Sequence, residues 1–526
     1  MTAATSSTTR TYDIICFGDE VPGLLAIVSA ATEFRRRIGK NPKTLVMFKG
    51  NSPDGVGGHL VRGGLSYLDR THVPDDIRNK LKLSIFGDPA SLYKEFLQRS
   101  GVTKIALDPS KADAALRKML SEAGTDIISR IEIRSVLING SKIAGIQLNN
   151  GTTFLAKQFI DCTVNAELAQ AAGANKLKGF GTFGLPDSEL PVTLTFETQG
   201  LTIARLQQVE STYLKRLTNP SDAEAQKLIR IAAGDDSTLM AWFKKDLIDE
   251  KGQLKTMHVG SDHIDIRCKA LSIVYHAFRG KPFVLSKSGA IFDAANIAIL
   301  PGGRLSWNAL LCSVTGSQAE AIARSAAKPT PEIMEEMTFV DRFMKSLGAT
   351  SVRPAKELYI RHAGNVTGVV EPLSGARMLE GGTFKEEAIG TFGYALDVRG
   401  GIDGLGLKAH AQGFPSISFH KSPLFNIGIR HALLKSVPNL AVVSPASGFD
   451  GYGCAAGRIV EFNVAVGQGV GIAAALAVTT NRDLATISNL EVRQVLKAIG
   501  KEPIIYGRSY TLEATNLRDF ETSMMA

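Results

Sequence analysis

The stretch CFGDEVPGLLAIVSAA, residues 16–31, decides the fold. It continues the run Tyr12-Asp13-Ile14-Ile15-Cys16-Phe17, whose short apolar character predicts a buried parallel strand. Gly18 opens a tight turn and Gly23 closes it. Pro22 stands near the first helical position, where its missing N–H is no loss. A helix is predicted from Leu24 to near Arg36. In a G-x-G-x-x-G turn the first glycine makes the bend, the second lets backbone approach a pyrophosphate, and the third lets helix and strand pack closely. Gly18 and Gly23 fill the outer places, and Glu20 holds the middle one. A carboxylate there satisfies the positive end of the helix and takes the place of a phosphate. The same strand, turn and helix also suit an ordinary βα connection.

The rest of the chain sets the frame for that turn. Its 526 residues suggest two or three domains, and 44% apolar with 21% charged residues is ordinary for a soluble globular protein. The net charge of +9 permits attraction to nucleic acid or anionic membrane. Its basic residues are dispersed, however, and the run Arg35-Arg36-Arg37 suits a helix end. No aromatic and basic interleaving marks a specific nucleic-acid surface. Five scattered cysteines without C-x-x-C spacing argue for a reducing compartment and against structural zinc, so no metal is expected. The polar start MTAATSSTTR carries no secretory signal, and Val464 to Thr479 is short and glycine-rich for a membrane span. A cytoplasmic location is therefore expected.

Along the chain, Thr44 to Phe48 reads as the second strand. Its end normally supplies an acid for ribose hydroxyls, but Phe48 and Lys49 stand there, with Asp54 as the nearest substitute. The segment Asp54 to Leu65 is rich in glycine, which suits backbone lying against a flat or phosphorylated ligand. A helix is predicted from Ser110 to Ala123, then strands over residues 127–138 and 142–148 around Asn139-Gly140. A further strand over residues 154–161 ends at Asp161-Cys162-Thr163. An alternating strand, Pro191 to Glu197, opens a region of strands and long helices, including one from Glu332 to Leu347 started by Pro331. Near Ser418 the last unit begins: the strand Leu440 to Val443, the glycine-rich loop Ser447 to Gly457, and a Gly/Ala-dense helix from Ile459 to near Val478.

These parts, in this order, resemble the FAD-dependent oxidoreductases of the glutathione-reductase-like flavin fold, over roughly residues 12–478. Val56-Gly57-Gly58 and the following His59 to Leu65 are similar to the double-glycine segment that passes the flavin. Asp161-Cys162-Thr163 is similar to the family's D-C-T-G-D, with Val164-Asn165 in the last two places. Arg361 lies where the family has the first arginine of R-E-S-R-R-I, and Asp397 where it has a P-I-D-I-H-like strand. Gly453, Arg458 and Gly467-Gln468 through Leu476 resemble G-x-x-R…G-Q-A-A-G-T-A-A-A-L most specifically. Departures fall at Glu20, at Phe48, and at Val443-Ser444-Pro445 in place of A-G-R.

The resemblance implies an α/β architecture. A discontinuous Rossmann-like FAD-binding domain takes residues 12–180 and 418–480, and an α+β substrate domain takes 181–417. A C-terminal extension covers 481–526 and a disordered tail 1–11. It implies FAD held by Gly18, Glu20, Pro22, Gly23, Gly57, Gly58, His59, Cys162, Thr163, Asp450, Gly467 and Gln468. It also implies hydride transfer from a small anionic substrate to flavin N5. Arg361 and Arg458 are the candidate carboxylate clamps, and His59, His420 and His431 the candidate acid/base groups. A small-molecule substrate is the expected partner, and a homo-oligomer is left open. The alternative is a catalytically degenerate flavin-fold protein that binds a partner or metabolite, with Glu20 fixed in the pyrophosphate place.

Overall fold

A computed structural model describes residues 8–414 and 421–525. Its organising element is a five-stranded parallel sheet. The strands β1 (Ile14–Phe17), β2 (Thr44–Phe48), β3 (Thr125–Ser129), β4 (Gln158–Asp161) and β5 (Leu440–Val442) lie in the order β5-β4-β1-β2-β3. β1, β2, β4 and β5 are buried throughout, as expected of strands covered on both faces. All neighbouring pairs are parallel, so β1 sits centrally with the chain crossing over on either side.

Three helices fix this sheet. α1 (Val21–Ile38) leaves β1 through the glycine turn and ends on Gly39 in the left-handed conformation, with Arg35, Arg36 and Arg37 in its last turn. α2 (Pro109–Glu122) is capped by Asp108, whose side chain accepts from the amides of Ser110 and Lys111. α3 (Val460–Thr480) is long and apolar enough to cross a membrane by length and composition, yet most of it is buried inside the protein. It lies backbone to backbone on α1. A Cβ on Gly467 would stand 2.4 Å from the Pro22 carbonyl oxygen, and one on Gly471 2.1 Å from that of Ala26. Ser29 Oγ donates to the Gln468 carbonyl at 2.8 Å across the same seam.

A second body has its own core around Trp307, Phe292, Tyr275 and Phe343. Its six-stranded sheet runs, in spatial order, His258–Val259, His263–Asp265, Ala290–Leu300, Arg304–Cys312, Val192–Gln199 and Ser351–Pro354. Helices such as Ile203–Leu217, Ala270–Arg279 and Pro331–Leu347 cover it. A smaller sheet joins Thr9–Thr11, Thr153–Leu155, Lys142–Leu148 and Ile133–Asn139.

Three sequence expectations are corrected here. Thr9–Thr11 is a strand paired in parallel with Thr153–Leu155, so the expected disordered tail is ordered in that part. The strand predicted over 127–138 is two strands, broken where Arg130 takes φ +56°. The strand predicted over 154–161 likewise divides between two sheets.

Candidate functional site

β1 ends at Phe17, and the chain turns at Gly18 with φ +99°. A Cβ there would lie 2.8 Å from the Thr163 amide nitrogen. At Gly23 it would lie 2.3 Å from both Cβ and Sγ of Cys162. Both glycines are therefore demanded by the end of β4 passing against the turn, and Pro22 sits in the first turn of α1 between them. Cys162 Sγ lies 3.5 Å from Cys16 Sγ, and burial raises its pKa. Thr163 donates from N and Oγ1 to Asp161 Oδ1 at 2.9 and 2.6 Å, while its Oγ1 accepts from the Glu167 amide at 2.8 Å.

Between those glycines stand two acids, and both reach across to the double-glycine loop. Gly57 and Gly58 have φ +132° and +50°, which turns successive amides inward to form an anion-binding concavity. Asp19 accepts from the Gly57 and Gly58 amides at 3.0 and 3.4 Å. Glu20 accepts from the His59 amide at 3.2 Å and meets His59 Nδ1. A Cβ on Gly58 would strike the Glu20 carboxylate. Glu20 is the N-cap residue of α1, but its side chain does not cap that helix.

Arg62 completes the cluster. Its guanidinium donates to both oxygens of Asp19, at 2.5 and 2.8 Å, to Glu357 at 2.6 Å and to the Gly55 carbonyl at 2.8 Å. Burial disfavours its charge, but Asp19 and Glu357 outweigh burial and hold its pKa well above the ordinary value. Burial pushes Glu357 up to about 7, with Arg62 pulling it down and Asp19 and Glu20 adding to the rise. Asp19, Arg62 and Glu357 were not singled out in the sequence. The available signal was the consecutive pair Asp19-Glu20 at a turn that wants glycine; Glu357 arrives from far along the chain.

At the end of β2, Lys49 pairs with Glu167 at 2.7 Å and Glu132 at 3.3 Å, and donates to the Arg324 carbonyl at 3.0 Å. The expected substitute acid, Asp54, instead pairs with Lys356 and accepts from Asn51. The cleft left between these groups and the ends of β1 and β4 has a volume of about 70 Å³, bounded by Gly18, Lys49, Cys162, Asn165, Glu167 and Glu357.

Behind it, aromatic rings and arginines fill the interior. The His59 and Tyr359 rings stack at 5.0 Å, and the Arg361 guanidinium lies 4.6 Å from the other ring system's centroid at Tyr359. Arg361 donates to the Pro191 carbonyl at 2.9 Å, Thr193 Oγ1 at 2.6 Å and Asn308 Oδ1 at 3.3 Å. Burial, with Arg399 and Arg458 nearby, lowers its pKa to about 10. Arg458 lies over Tyr394 and pairs with Asp397 at 3.3 Å. The fold thus gathers His59, Arg361 and Arg458 around Tyr359 and Tyr394, but their exposures are only 6%, 1% and 5%.

Other expected site residues stand elsewhere. Gln468 is turned to the helix Ser91–Arg99, where its amide oxygen accepts from the Leu92 amide at 2.8 Å and Ser91 Oγ at 3.1 Å. Gly467 is occupied by the α1 backbone, because only hydrogen fits beneath the Pro22 carbonyl. His431 is a core residue between Phe449 and Phe462, and burial drives its pKa down to about 3. Asp450 is half-buried, with its pKa raised by burial. His420 lies outside the described residues.

A central parallel sheet of this order, entered through a glycine βα turn and closed by a late helix lying on α1, defines a Rossmann-like flavoprotein fold. The chain belongs to the FAD dependent oxidoreductase family, whose model matches residues 30–497. That match begins inside α1, beyond the glycine turn. No curated protein matches the sequence. Among solved structures, a geranylgeranyl bacteriochlorophyll reductase-like protein from Thermoplasma acidophilum is 11% identical, with 98% of this chain and 88% of that one covered and a TM-score of 0.37. L-proline dehydrogenase from P. horikoshii is 11% identical, with 93% and 99% covered and a TM-score of 0.34. A mutant of the halogenase PltM in complex with FAD is 12% identical, with 90% and 71% covered and a TM-score of 0.36.

The family implies FAD, and the double-glycine segment expected to pass the flavin is engaged by the chain's own side chains. The amides of Gly57, Gly58 and His59 already serve carboxylates of this chain. Phe48 and Lys49 stand in place of the ribose-binding acid, and Lys49 is itself paired.

Proposed function

We propose that this family member uses the flavin fold as a closed binding scaffold for a partner or metabolite, with its own carboxylates on the amides of the double-glycine loop. The observation that carries the reading is Asp19 and Glu20 on the amides of the double-glycine loop, locked by Arg62 and Glu357. An anion from outside would have to displace two carboxylates and leave Arg62 to re-pair, an exchange that favours the internal ligands. The cluster also joins the turn to Glu357, which follows the last strand of the second body, so side chains supply a link between the two bodies.

The test is the visible absorption spectrum of the purified protein, before and after FAD is added and excess removed. The scaffold reading expects no flavin bands in either sample. Bands at one flavin per chain would overturn it.

A second reading keeps FAD and hydride transfer from a small anionic substrate to flavin N5. Arg361 favours it, because its described hydrogen-bond partners are neutral oxygens and its fork suits a carboxylate. Retained flavin that is bleached by a carboxylic-acid substrate would establish this reading, with Arg361→Lys slowing the bleaching.

A further inference from the structure

The hairpin at the edge of the six-stranded sheet carries a feature unrelated to the nucleotide turn. His258 and Asp265 are directly opposite across the antiparallel pair His258–Val259 and His263–Asp265. His263 is two residues from Asp265, so all three side chains share one face of the ribbon. Their ligand atoms lie within 4.8 Å of one another. The Gly260 amide donates to the His263 carbonyl at 2.8 Å, which closes the turn. A Cβ on Gly260 would fall 2.3 Å from the His263 ring, so glycine lets the ring lie against the turn.

Two of the three groups are oriented by outer partners. His263 Nδ1 is 3.0 Å from Asp262 Oδ1, an arrangement that places the ring proton on Nδ1 and leaves the Nε2 lone pair for a metal. Asp262 is in turn fixed by the amides of Lys104, Ile105 and Ala106 at 3.1, 2.9 and 3.1 Å. Asp265 Oδ1 accepts from the Tyr67 hydroxyl at 2.7 Å, while Oδ2 lies 3.9 Å from His263 Nε2. His258 is exposed, and its ring centroid lies 6.0 Å from that of His263. Carboxylate behind histidine, and hydroxyl behind carboxylate, are the outer contacts that orient metal ligands.

We propose that His258, His263 and Asp265 bind a divalent transition metal of the zinc class, with the fourth position open to water. Two imidazoles and one carboxylate select zinc-like ions over magnesium and calcium, which prefer oxygen sets. Three protein ligands with one open position is the coordination of sites that can activate water. Closing the ligand atoms onto bonds of about 2.0–2.2 Å requires contraction of the set, which the exposed His258 side chain supplies. The site stands independently of whether FAD binds.

The experiment uses the full, untagged chain stripped with chelator, titrated with Zn²⁺ alone by calorimetry and with Co²⁺ by visible absorption. We expect one equivalent of Zn²⁺ bound at micromolar affinity or tighter, and cobalt bands of a four- or five-coordinate site. His258→Ala and Asp265→Asn should each abolish saturable binding. Tyr67→Phe, which removes only an outer contact, should weaken it about 10- to 100-fold. Apo-protein circular dichroism tests folding of each variant, and the exposed His258 makes His258→Ala the decisive one. No saturable Zn²⁺ binding, unchanged binding in His258→Ala, or equal affinity for Mg²⁺ would each overturn the proposal.

Discussion

The glycine turn and the seam between α1 and α3 both began as places where a side chain is unwelcome, yet they differ in what excludes it. At Gly18, Gly23, Gly467 and Gly471 the obstacle is the chain itself, since added Cβ atoms would meet Thr163, Cys162, Pro22 or Ala26 at 2.8 Å or less. At residue 20 the excluded volume belongs, in a dinucleotide turn, to an external phosphate. The glycines facing the chain's own atoms are present, and the one facing a ligand is Glu20. The difference separates the requirements of folding from those of cofactor binding within one short motif.

The largest effect that would test this contrast is expected at Arg62. Arg62→Met leaves Asp19 and Glu357 buried without their cation, and we expect a loss of about 3–5 kcal/mol in chemical denaturation. A loss below about 1 kcal/mol would show that the cluster is not the link described here. Next comes Gly23→Ala, where the new methyl overlaps Cys162. A loss of about 1–3 kcal/mol is expected, partly restored by Cys162→Ala in the double variant.

A smaller effect concerns pH. Glu357 has its pKa raised to about 7 in the folded chain, against about 4.3 when unfolded, so folding favours its protonated form. Its contribution to stability is full below about pH 4 and is lost as pH rises through 7. Glu357→Gln should remove this slope, at most roughly 1.4 kcal/mol per pH unit, measured as the change in unfolding free energy between pH 5 and 8. An unchanged slope would mean that Glu357 does not titrate in that window. The smallest stability effect is expected for Glu20→Gly, about 1 kcal/mol, because the His59 amide loses its acceptor. The same variant should bind FAD more tightly than the parent in a fluorescence-quenching titration; unchanged or weaker binding would show that Glu20 is not the obstruction.

Local features were the most legible in the sequence. The strand Ile14–Phe17, the turn and the start of α1 follow from apolar runs, glycine and proline over a dozen residues. The strand Thr44–Phe48 and the helix started by Pro331 fall where composition placed them, because neighbouring residues decide them. The site was less legible. Arg62 meets Glu357 across 295 positions, and nothing near either residue announces the pairing. The small residues of α3 suit close approach to either a neighbouring backbone or a planar ring; they face the backbone of α1, and composition cannot distinguish those neighbours. The histidine hairpin is not legible in the sequence because its residues come from two strands across a turn, and cysteine spacing says nothing about them.

The seam between α1 and α3 also has a consequence for biosynthesis. α1 leaves the ribosome long before its partner, with residues 39–459 still to be made. At roughly 5–20 residues per second that interval is about 20–80 s. The second body, whose sheet strands all lie within 192–354, is complete well inside it. Chains arrested just before Val460 should therefore show a protease-resistant fragment from that body while the segment around α1 is still cleaved. Protection of residues 21–38 in such chains would show that α1 finds a lasting shelter before its helical partner exists.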